Sequence, residues 1–251
     1  MTIMAPIIQT MQGNTFSLRF VALVALFAVG VWACDQPIGK PAPKIQGTSV
    51  DARPGANAPP PSNAASRPEE RVLVAFGDSL TAGLGVSPDE SYPALLQEKL
   101  SLSGYRYRVV NAGVSGDTTA GGVRRVDWVL KSKPDLVILE LGANDGLRGL
   151  DLAETRANLD QIIQRVLAGD AKVILAGMKL PPNYGATYTA TFHAMYADLA
   201  TRHGIPLIPF FLEGVASQTA LNQADGIHPT GPGYAVVVTN LWPLLEPLLK
   251  K

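Results

Sequence analysis

The chain has 251 residues, of which 47% are hydrophobic and 17% charged, and its 21 basic residues are balanced by 21 acidic ones. This composition excludes a fully disordered chain, because the apolar content suffices for a core and the net charge is too low to keep the chain expanded. It gives no electrostatic basis for binding nucleic acid, since no strongly basic face stands out. A single cysteine excludes an internal disulfide framework.

The amino-terminal region predicts an exported protein. An apolar run of 14 residues, 20–33, follows a basic residue. The run is too short to cross a bilayer, which needs about 20 residues, and it has the form of a secretory signal. We therefore expect residues 1–33 to be a signal peptide, with either Met1 or Met11 as the true start.

The end of this run allows two routes of maturation. Residues 31–34, Val-Trp-Ala-Cys, resemble a bacterial lipobox, although Trp32 departs from the small residue usual there. Lipidation of Cys34 would tether the protein to the periplasmic side of the inner membrane, where the lipoprotein sorting rule for Asp35 favours retention. Cleavage after Ala33 would instead give a soluble periplasmic protein. We favour the lipoprotein, because Cys34 is the only cysteine and lies at the boundary.

Residues 34–70 form the second segment of the chain. Eight of the 20 prolines fall within residues 35–70, among many Ala, Asn, Ser and Gly residues. Such a composition cannot bury enough apolar surface to offset the entropy of ordering, so we expect a disordered, partly polyproline linker. Its predicted role is to hold a folded domain away from the membrane or the export junction.

The third segment, residues 71–251, is expected to be the folded domain, and its 16 basic and 17 acidic side chains leave it nearly neutral. Short β-branched runs alternate with longer amphipathic ones, which indicates buried parallel strands with helices on both faces. The pattern predicts a flavodoxin-like, three-layer α/β/α sandwich around a mainly parallel, five-stranded sheet. We expect strands at 71–76, 105–111, 135–141, 172–178 and 205–209, and helices at 92–102, 121–132, 152–168, 188–202 and 234–250.

Ligand sites in such sheets form at the carboxyl ends of the strands. The first loop there, residues 77–81 (GDSLT), places Ser79 between a strand and a helix. Its hydroxyl would be exposed, and the amino end of the helix could stabilise an anion. The same residues also suit an ordinary turn and helix cap. Thr81 stands where the α/β-hydrolase nucleophile elbow has its second glycine.

Two further loops offer hydrogen-bond donors. Residues 111–118 (NAGVSGDT) include Gly116, and glycines let backbone N–H groups approach a ligand oxygen closely. Residues 142–146 (GANDG) include Asn144, whose side-chain NH₂ can donate to an oxyanion without losing a proton. Either loop could equally be a plain turn between a strand and a helix.

The fourth loop, just before the last predicted helix, contains Asp225 and His228. Their spacing lets the carboxylate hydrogen-bond one imidazole nitrogen and aim the other outward. His193 and His203 lie within or at the end of a predicted helix, where a surface or capping role suits them. One cysteine and isolated histidines give no metal-ligand spacing, so no metal is expected.

These four loops, in this order, resemble the GDSL or SGNH hydrolase family. The Ser, Gly, Asn and His of the second name correspond to Ser79, Gly116, Asn144 and His228. The resemblance implies that Ser79 is a nucleophile, that His228 is the general base and then acid, and that Asp225 orients it. It also implies an oxyanion hole made by the N–H groups of Ser79 and Gly116 and the side chain of Asn144.

The resemblance covers residues 71–251 and is strongest toward the bacterial thioesterase I, lysophospholipase L1 and arylesterase group. The segments that carry it are 114–118 (VSGDT), 142–149 (GANDGLRG), 180–185 (LPPNYG) and 209–213 (PFFLE). It implies a serine esterase, without a cofactor, that hydrolyses aryl or acyl esters, thioesters or lysophospholipids. The signal peptide adds that this enzyme is exported.

Substrate identity is less sharply indicated. Leu147, Leu180 and Tyr184 lie in loops expected to border the site and could contact an acyl chain. Two alternatives remain open: a carbohydrate O-acetyl esterase, and an inactive, membrane-tethered binding module. The sequence does not indicate an oligomeric state.

Overall fold

The computed structural model describes residues 70–251. The signal peptide expected at 1–33, the lipidation site Cys34 and all but the last residue of the linker expected at 34–70 lie outside the described residues. Within the described part of the chain, no helix is both long and apolar enough to cross a membrane.

A parallel sheet of five strands lies at the centre of the described residues. The strands are β1 Arg71–Gly77, β2 Tyr107–Gly113, β3 Leu136–Glu140, β4 Lys172–Ala176 and β5 Leu207–Ile208. Their order across the sheet is β2-β1-β3-β4-β5, and each neighbouring pair is parallel. The predicted fold class is therefore confirmed. The strand order reverses between β1 and β3, the position where sheets of this topology bind ligands.

Helices cover both faces of the sheet. They are α1 Ser79–Ala82, α2 Tyr92–Leu102, α3 Thr119–Leu130, α4 Ala143–Leu147, α5 Leu152–Ala168, α6 Ala186–His203 and α7 Gly231–Leu245. Short 3₁₀ turns occupy Pro88–Glu90, Pro182–Tyr184 and Glu246–Leu248. Helix α3 packs on α5 and α5 on α6, whereas α2 packs on α7, so two helical layers enclose the strands.

The central strands explain why the loops that follow them are held firmly. Every residue of β3, and all but the first of β1, is buried, because both faces of each strand are covered by helices. Their unbroken runs of Val, Leu, Ile, Ala and Phe are typical of such strands. The last residue of β3 is an exception to this apolar pattern, since Glu140 is a carboxylic acid that is 0% exposed.

The fifth strand is much shorter than predicted. A strand was expected at 205–209, but only Leu207–Ile208 pairs with β4. Pro206 and Pro209 flank this pair, and a proline has no N–H to donate to the ladder. The edge of the sheet therefore ends in a two-residue strand.

The last helix is displaced from its predicted bounds of 234–250. It begins at Gly231, because the Thr230 side chain accepts the N–H of Gly233 and caps the first turn. It ends at Leu245, and the chain continues as a 3₁₀ turn that contains Pro247. Apolar periodicity alone could not locate either end, since both depend on local capping and proline geometry.

Candidate active site

Ser79 is the first residue of α1, directly after β1. The Asp78 carboxylate caps this short helix by accepting the N–H of Leu80 at 3.0 Å. The turn also requires a glycine at position 77, since a Cβ on Gly77 would lie 2.6 Å from the backbone oxygen of Glu140. The close approach of β1 to the end of β3 thus fixes the position from which the serine side chain projects.

Ser79, His228 and Asp225 form a continuous hydrogen-bonded chain. The serine Oγ lies 2.9 Å from His228 Nε2, and His228 Nδ1 lies 2.6 Å from Asp225 Oδ2. The other oxygen of Asp225 accepts the backbone N–H groups of Ile227 at 2.9 Å and His228 at 3.0 Å. Led by the Ile227 N–H, these bonds lower the pKa of Asp225 to about 2. Since the ionised carboxylate only accepts, Nδ1 carries the hydrogen and Nε2 can accept the serine proton.

Asn144 and Gly116 lie beside this chain, in the two other loops. Asn144 Nδ2 donates to Asp78 Oδ2 at 3.1 Å and to the backbone oxygen of Asp117 at 3.0 Å. Gly116 has a φ of 77°, a left-handed conformation that glycine adopts without strain. Its carbonyl accepts from Arg148 at 2.8 Å. Both amide hydrogens of Asn144 have partners, so binding an oxyanion would require one of them to be redirected.

A cavity of about 560 Å³ opens at these side chains, and Ser79, Gly116, Asn144 and His228 form part of its wall. Most of the remaining wall is apolar and includes Leu84, Leu147, Met178, Leu180, Phe210 and Ile227. Two of the three expected acyl contacts, Leu147 and Leu180, are therefore at the cavity. Tyr184 is not among the residues that line it, but its hydroxyl donates to the carbonyl of the lining residue Leu147 at 2.9 Å.

The fold and the arrangement of these loops are matched by known proteins. The model of the GDSL-like lipase/acylhydrolase family matches residues 75–236, which is well over half of the chain and includes all four loops. The chain belongs to this family.

Two curated relatives of this GDSL-like hydrolase are named as esterases or thioesterases. Esterase TesA of Pseudomonas aeruginosa is 47% identical over 180 residues, which cover 71% of this chain and 90% of the relative. Thioesterase 1/protease 1/lysophospholipase L1 of Escherichia coli K12 is 40% identical over 179 residues, covering 71% and 85%. The crystal structure of TesA superposes with a TM-score of 0.69 at 47% identity, over 71% of this chain and 100% of that one.

A buried ion pair that the sequence did not predict holds together the loops of the GDSL-like site. Arg125 in α3 donates to Asp117 Oδ2 at 2.7 Å, and both side chains are mostly buried. The same guanidinium donates to the backbone oxygens of Ala112 at 2.6 Å and Gly77 at 2.8 Å. It therefore ties the end of β1 to the loop that contains Gly116.

A second buried contact joins the Gly116 loop to the Asn144 loop. Asp145, which is 2% exposed, accepts the backbone N–H of Thr119 at 2.9 Å and its hydroxyl at 2.5 Å. Because Asp145 follows Asn144 directly, this bond fixes α4 against the start of α3. The sequence could not predict that Asp145 pairs with Thr119, because the two residues are 26 positions apart.

A third missed feature is a pair of buried acids behind the serine. Asp78 is 1% exposed and Glu140 0%. Glu140 Oε2 accepts the Thr81 hydroxyl at 2.8 Å and the backbone N–H of Asp78 at 3.3 Å. Burial raises the pKa of both carboxyl groups. The sequence did carry one signal for this pair. It is the acidic residue Glu140 at the end of an apolar strand, in the segment LVILE.

Of the other two histidines, His203 has surroundings that differ from those expected. His203 Nε2 lies 2.6 Å from Asp160 Oδ1, and its side chain is only 11% exposed, so it joins α6 to α5 instead of capping a helix. His193 is partly exposed, and its Nδ1 atom is buried without a hydrogen-bond partner among the described residues. Within residues 70–251, no group of three or more His, Cys, Asp or Glu side chains is arranged to hold a metal ion.

Proposed function

We propose that this GDSL-like hydrolase is a serine esterase that cleaves carboxylic esters or thioesters through an acyl-enzyme on Ser79. The observation that carries the proposal is the hydrogen-bonded chain from Ser79 through His228 to Asp225, which begins at the wall of an apolar cavity. A nucleophile in contact with a base, and a base oriented by a third group, is the arrangement that activates a serine hydroxyl.

In the proposed first step, Ser79 Oγ attacks the carbonyl carbon while its proton passes to His228 Nε2. The imidazolium that forms is stabilised by the Asp225 carboxylate at Nδ1. The tetrahedral oxyanion accepts from the backbone N–H groups of Ser79 and Gly116 and from Asn144 Nδ2. Collapse of this intermediate breaks the bond to the alcohol or thiol, which leaves with the proton held by His228.

In the second step, His228 removes a proton from water, and the resulting hydroxide adds to the acyl carbonyl on Ser79. The same donors stabilise the second oxyanion. Ser79 then leaves with the proton from His228, and the carboxylic acid is released. The cycle consumes one water and regenerates the free enzyme, so no cofactor enters the balance.

The size and the apolar wall of the cavity support the proposal that acyl chains longer than acetyl are preferred as substrates. Its volume of about 560 Å³ lies within the range of about 300–1,000 Å³ usual for small-molecule sites. Its one lysine, Lys179, forms an ion pair with Glu213 at 3.6 Å. Aryl and acyl esters, acyl thioesters and lysophospholipids all combine a reactive carbonyl with an apolar group that this wall can cover.

A chain-length series of p-nitrophenyl esters, from acetate to decanoate, tests the proposal on the full chain with Ser79→Ala as the control. We expect kcat/KM to rise with chain length up to medium chains and to be abolished in the variant. Activity confined to acetate would favour the carbohydrate O-acetyl esterase instead. Absence of turnover, together with no labelling of Ser79 by a fluorophosphonate, would indicate the inactive binding module.

We further propose that the enzyme is exported and tethered through a lipid on Cys34. The support is the sequence alone, namely an apolar run of 14 residues that is followed directly by the chain's single cysteine. Metabolic labelling with radioactive palmitate in a bacterial host, with Cys34→Ala as the control, tests this. Labelled wild-type protein in the membrane fraction is expected. Processed, unlabelled protein in the soluble periplasmic fraction would favour the untethered alternative.

A further inference from the structure

Glu140 is a buried carboxyl group that the proposed mechanism does not use. One of its oxygens, Oε2, accepts the Thr81 hydroxyl and the backbone N–H of Asp78. The other, Oε1, is buried without a hydrogen-bond partner among the described residues. A buried charged oxygen without a donor is costly, so an ionised Glu140 is unfavourable here.

The neighbouring Asp78 carboxylate is supplied with donors at both oxygens. Oδ1 accepts the N–H of Leu80 at 3.0 Å, and Oδ2 accepts Asn144 Nδ2 at 3.1 Å. The two acids adjoin, because the Asp78 backbone N–H donates to Glu140 Oε2 at 3.3 Å, and two like charges buried this close together favour a proton on one of them. Of the four oxygens, Glu140 Oε1 alone lacks a donor within the described residues, which makes it the site of the proton.

We propose that Glu140 is a positioning residue: protonated at Oε1 at neutral pH, it holds the Asp78 backbone N–H and the Thr81 hydroxyl through Oε2, and through Asp78 it keeps the Asn144 amide at the oxyanion site. This inference rests on the proposed acyl transfer at Ser79. Glu140 itself touches neither the substrate nor the reacting atoms.

The Asn144 amide is the element through which Glu140 would act. Its nitrogen is held by Asp78 and by the Asp117 carbonyl, and its oxygen accepts from Arg148 at 3.4 Å. The bond to Asp78 is therefore one of the three hydrogen bonds that orient the Asn144 side chain. Without Glu140, the Asp78 backbone N–H would lose the acceptor that fixes the turn from which the Asp78 carboxylate projects.

The proton on Glu140 also limits the negative charge beside the reaction. One charge in the pair stabilises the imidazolium of His228, whereas two would repel each other and oppose the developing oxyanion. The ionisable groups that face the pair come from several elements: Tyr92 from α2, Tyr196 from α6, Tyr234 from α7, and His228 from the loop before α7. Burial raises the pKa of all three tyrosines, so they stay neutral.

Two substitutions at position 140 test the proposal in the full chain with a p-nitrophenyl ester. Glu140→Ala is expected to lower kcat by about tenfold or more, but by less than the roughly 10²–10³ that loss of an oxyanion donor costs, with little change in KM. Glu140→Gln is expected to restore most of kcat, because its oxygen can accept from Thr81 and from the Asp78 backbone N–H, and its neutral NH₂ takes the place of the protonated Oε1. Wild-type kcat in Glu140→Ala, or equal losses in both variants, would overturn the proposal.

Infrared spectroscopy tests the protonation without depending on activity. The wild-type enzyme at pH 8 is expected to show the carbonyl stretch of a protonated carboxylic acid, and Glu140→Gln is expected to lack it. If the wild-type band is absent, the proposal fails whatever the kinetics show. Fluorophosphonate labelling of Ser79 reports separately on the proposed function, so failure of the esterase assignment is distinguishable from failure of the proton assignment.

Discussion

Replacing Asn144 with alanine removes the side-chain donor that we assign to the oxyanion. Loss of one such donor typically costs roughly 2.7–4 kcal/mol of transition-state stabilisation, or about 10²–10³ in kcat. In the free enzyme the two amide hydrogens already bond to Asp78 and Asp117, at 3.1 and 3.0 Å. Oxyanion formation thus exchanges one bond for another, so we expect the lower end, a loss of about 10² in kcat with KM nearly unchanged.

Steady-state kinetics on a medium-chain p-nitrophenyl ester measure this effect, with Asn144→Asp as a control of matched size. An ionised aspartate cannot donate and would repel both Asp78 and the oxyanion, so we expect it to be no more active than the alanine variant. Thermal unfolding by circular dichroism checks that both variants fold. A kcat for Asn144→Ala within about threefold of wild type would refute the assigned role.

Three further substitutions test the triad, the cavity and the buried support. Asp225→Asn is expected to lower kcat by about 10²–10⁴, toward the lower end because the side chain is 45% exposed and water can replace it. Because the pKa of Asp225 is lowered from 3.8 to about 2, wild type should gain stability over this variant as pH rises through that window, measured by urea unfolding. Leu180→Ala should lower kcat/KM for decanoate by about fourfold for each acyl methylene left uncovered while sparing acetate, and a uniform loss would count against an acyl contact. Asp145→Ala should lower the free energy of unfolding by about 2–4 kcal/mol, since it leaves buried donors of Thr119 unpaired, and Asp145→Asn should recover part of this.

The sequence predicts the core of the fold because the central strands have no competing pattern. Strands β1 and β3 are continuous apolar runs between turn residues, and the order of strands and helices allows few alternatives to a parallel sheet. The four loops could be found for the same reason, since each directly follows a strand or precedes a helix. Their residue types, a serine, a glycine, an asparagine and an Asp-His pair, carry recognisable chemistry.

The remaining features depend on contacts between distant segments, which a single sequence does not encode in readable form. The partners Arg125 and Asp117 are close in sequence, but the carbonyls of Ala112 and Gly77 that hold the arginine become neighbours only once β1 and β2 pair. Glu140 could be seen as an acid in an apolar strand, but not as a neighbour of Asp78. Short helices such as α1 and α4 are set by single caps and turns, and their length is below the range that periodicity detects.

Identification of the residue modified by a fluorophosphonate tests the central proposal most directly. The full-length protein is treated with the probe, digested and analysed by peptide mass spectrometry, in parallel with Ser79→Ala. We predict a single adduct on the peptide that contains Ser79, loss of esterase activity in proportion to labelling, and neither labelling nor turnover in the variant. An adduct on another residue, or ester turnover near the wild-type rate in Ser79→Ala, would contradict the assignment of Ser79 as the nucleophile.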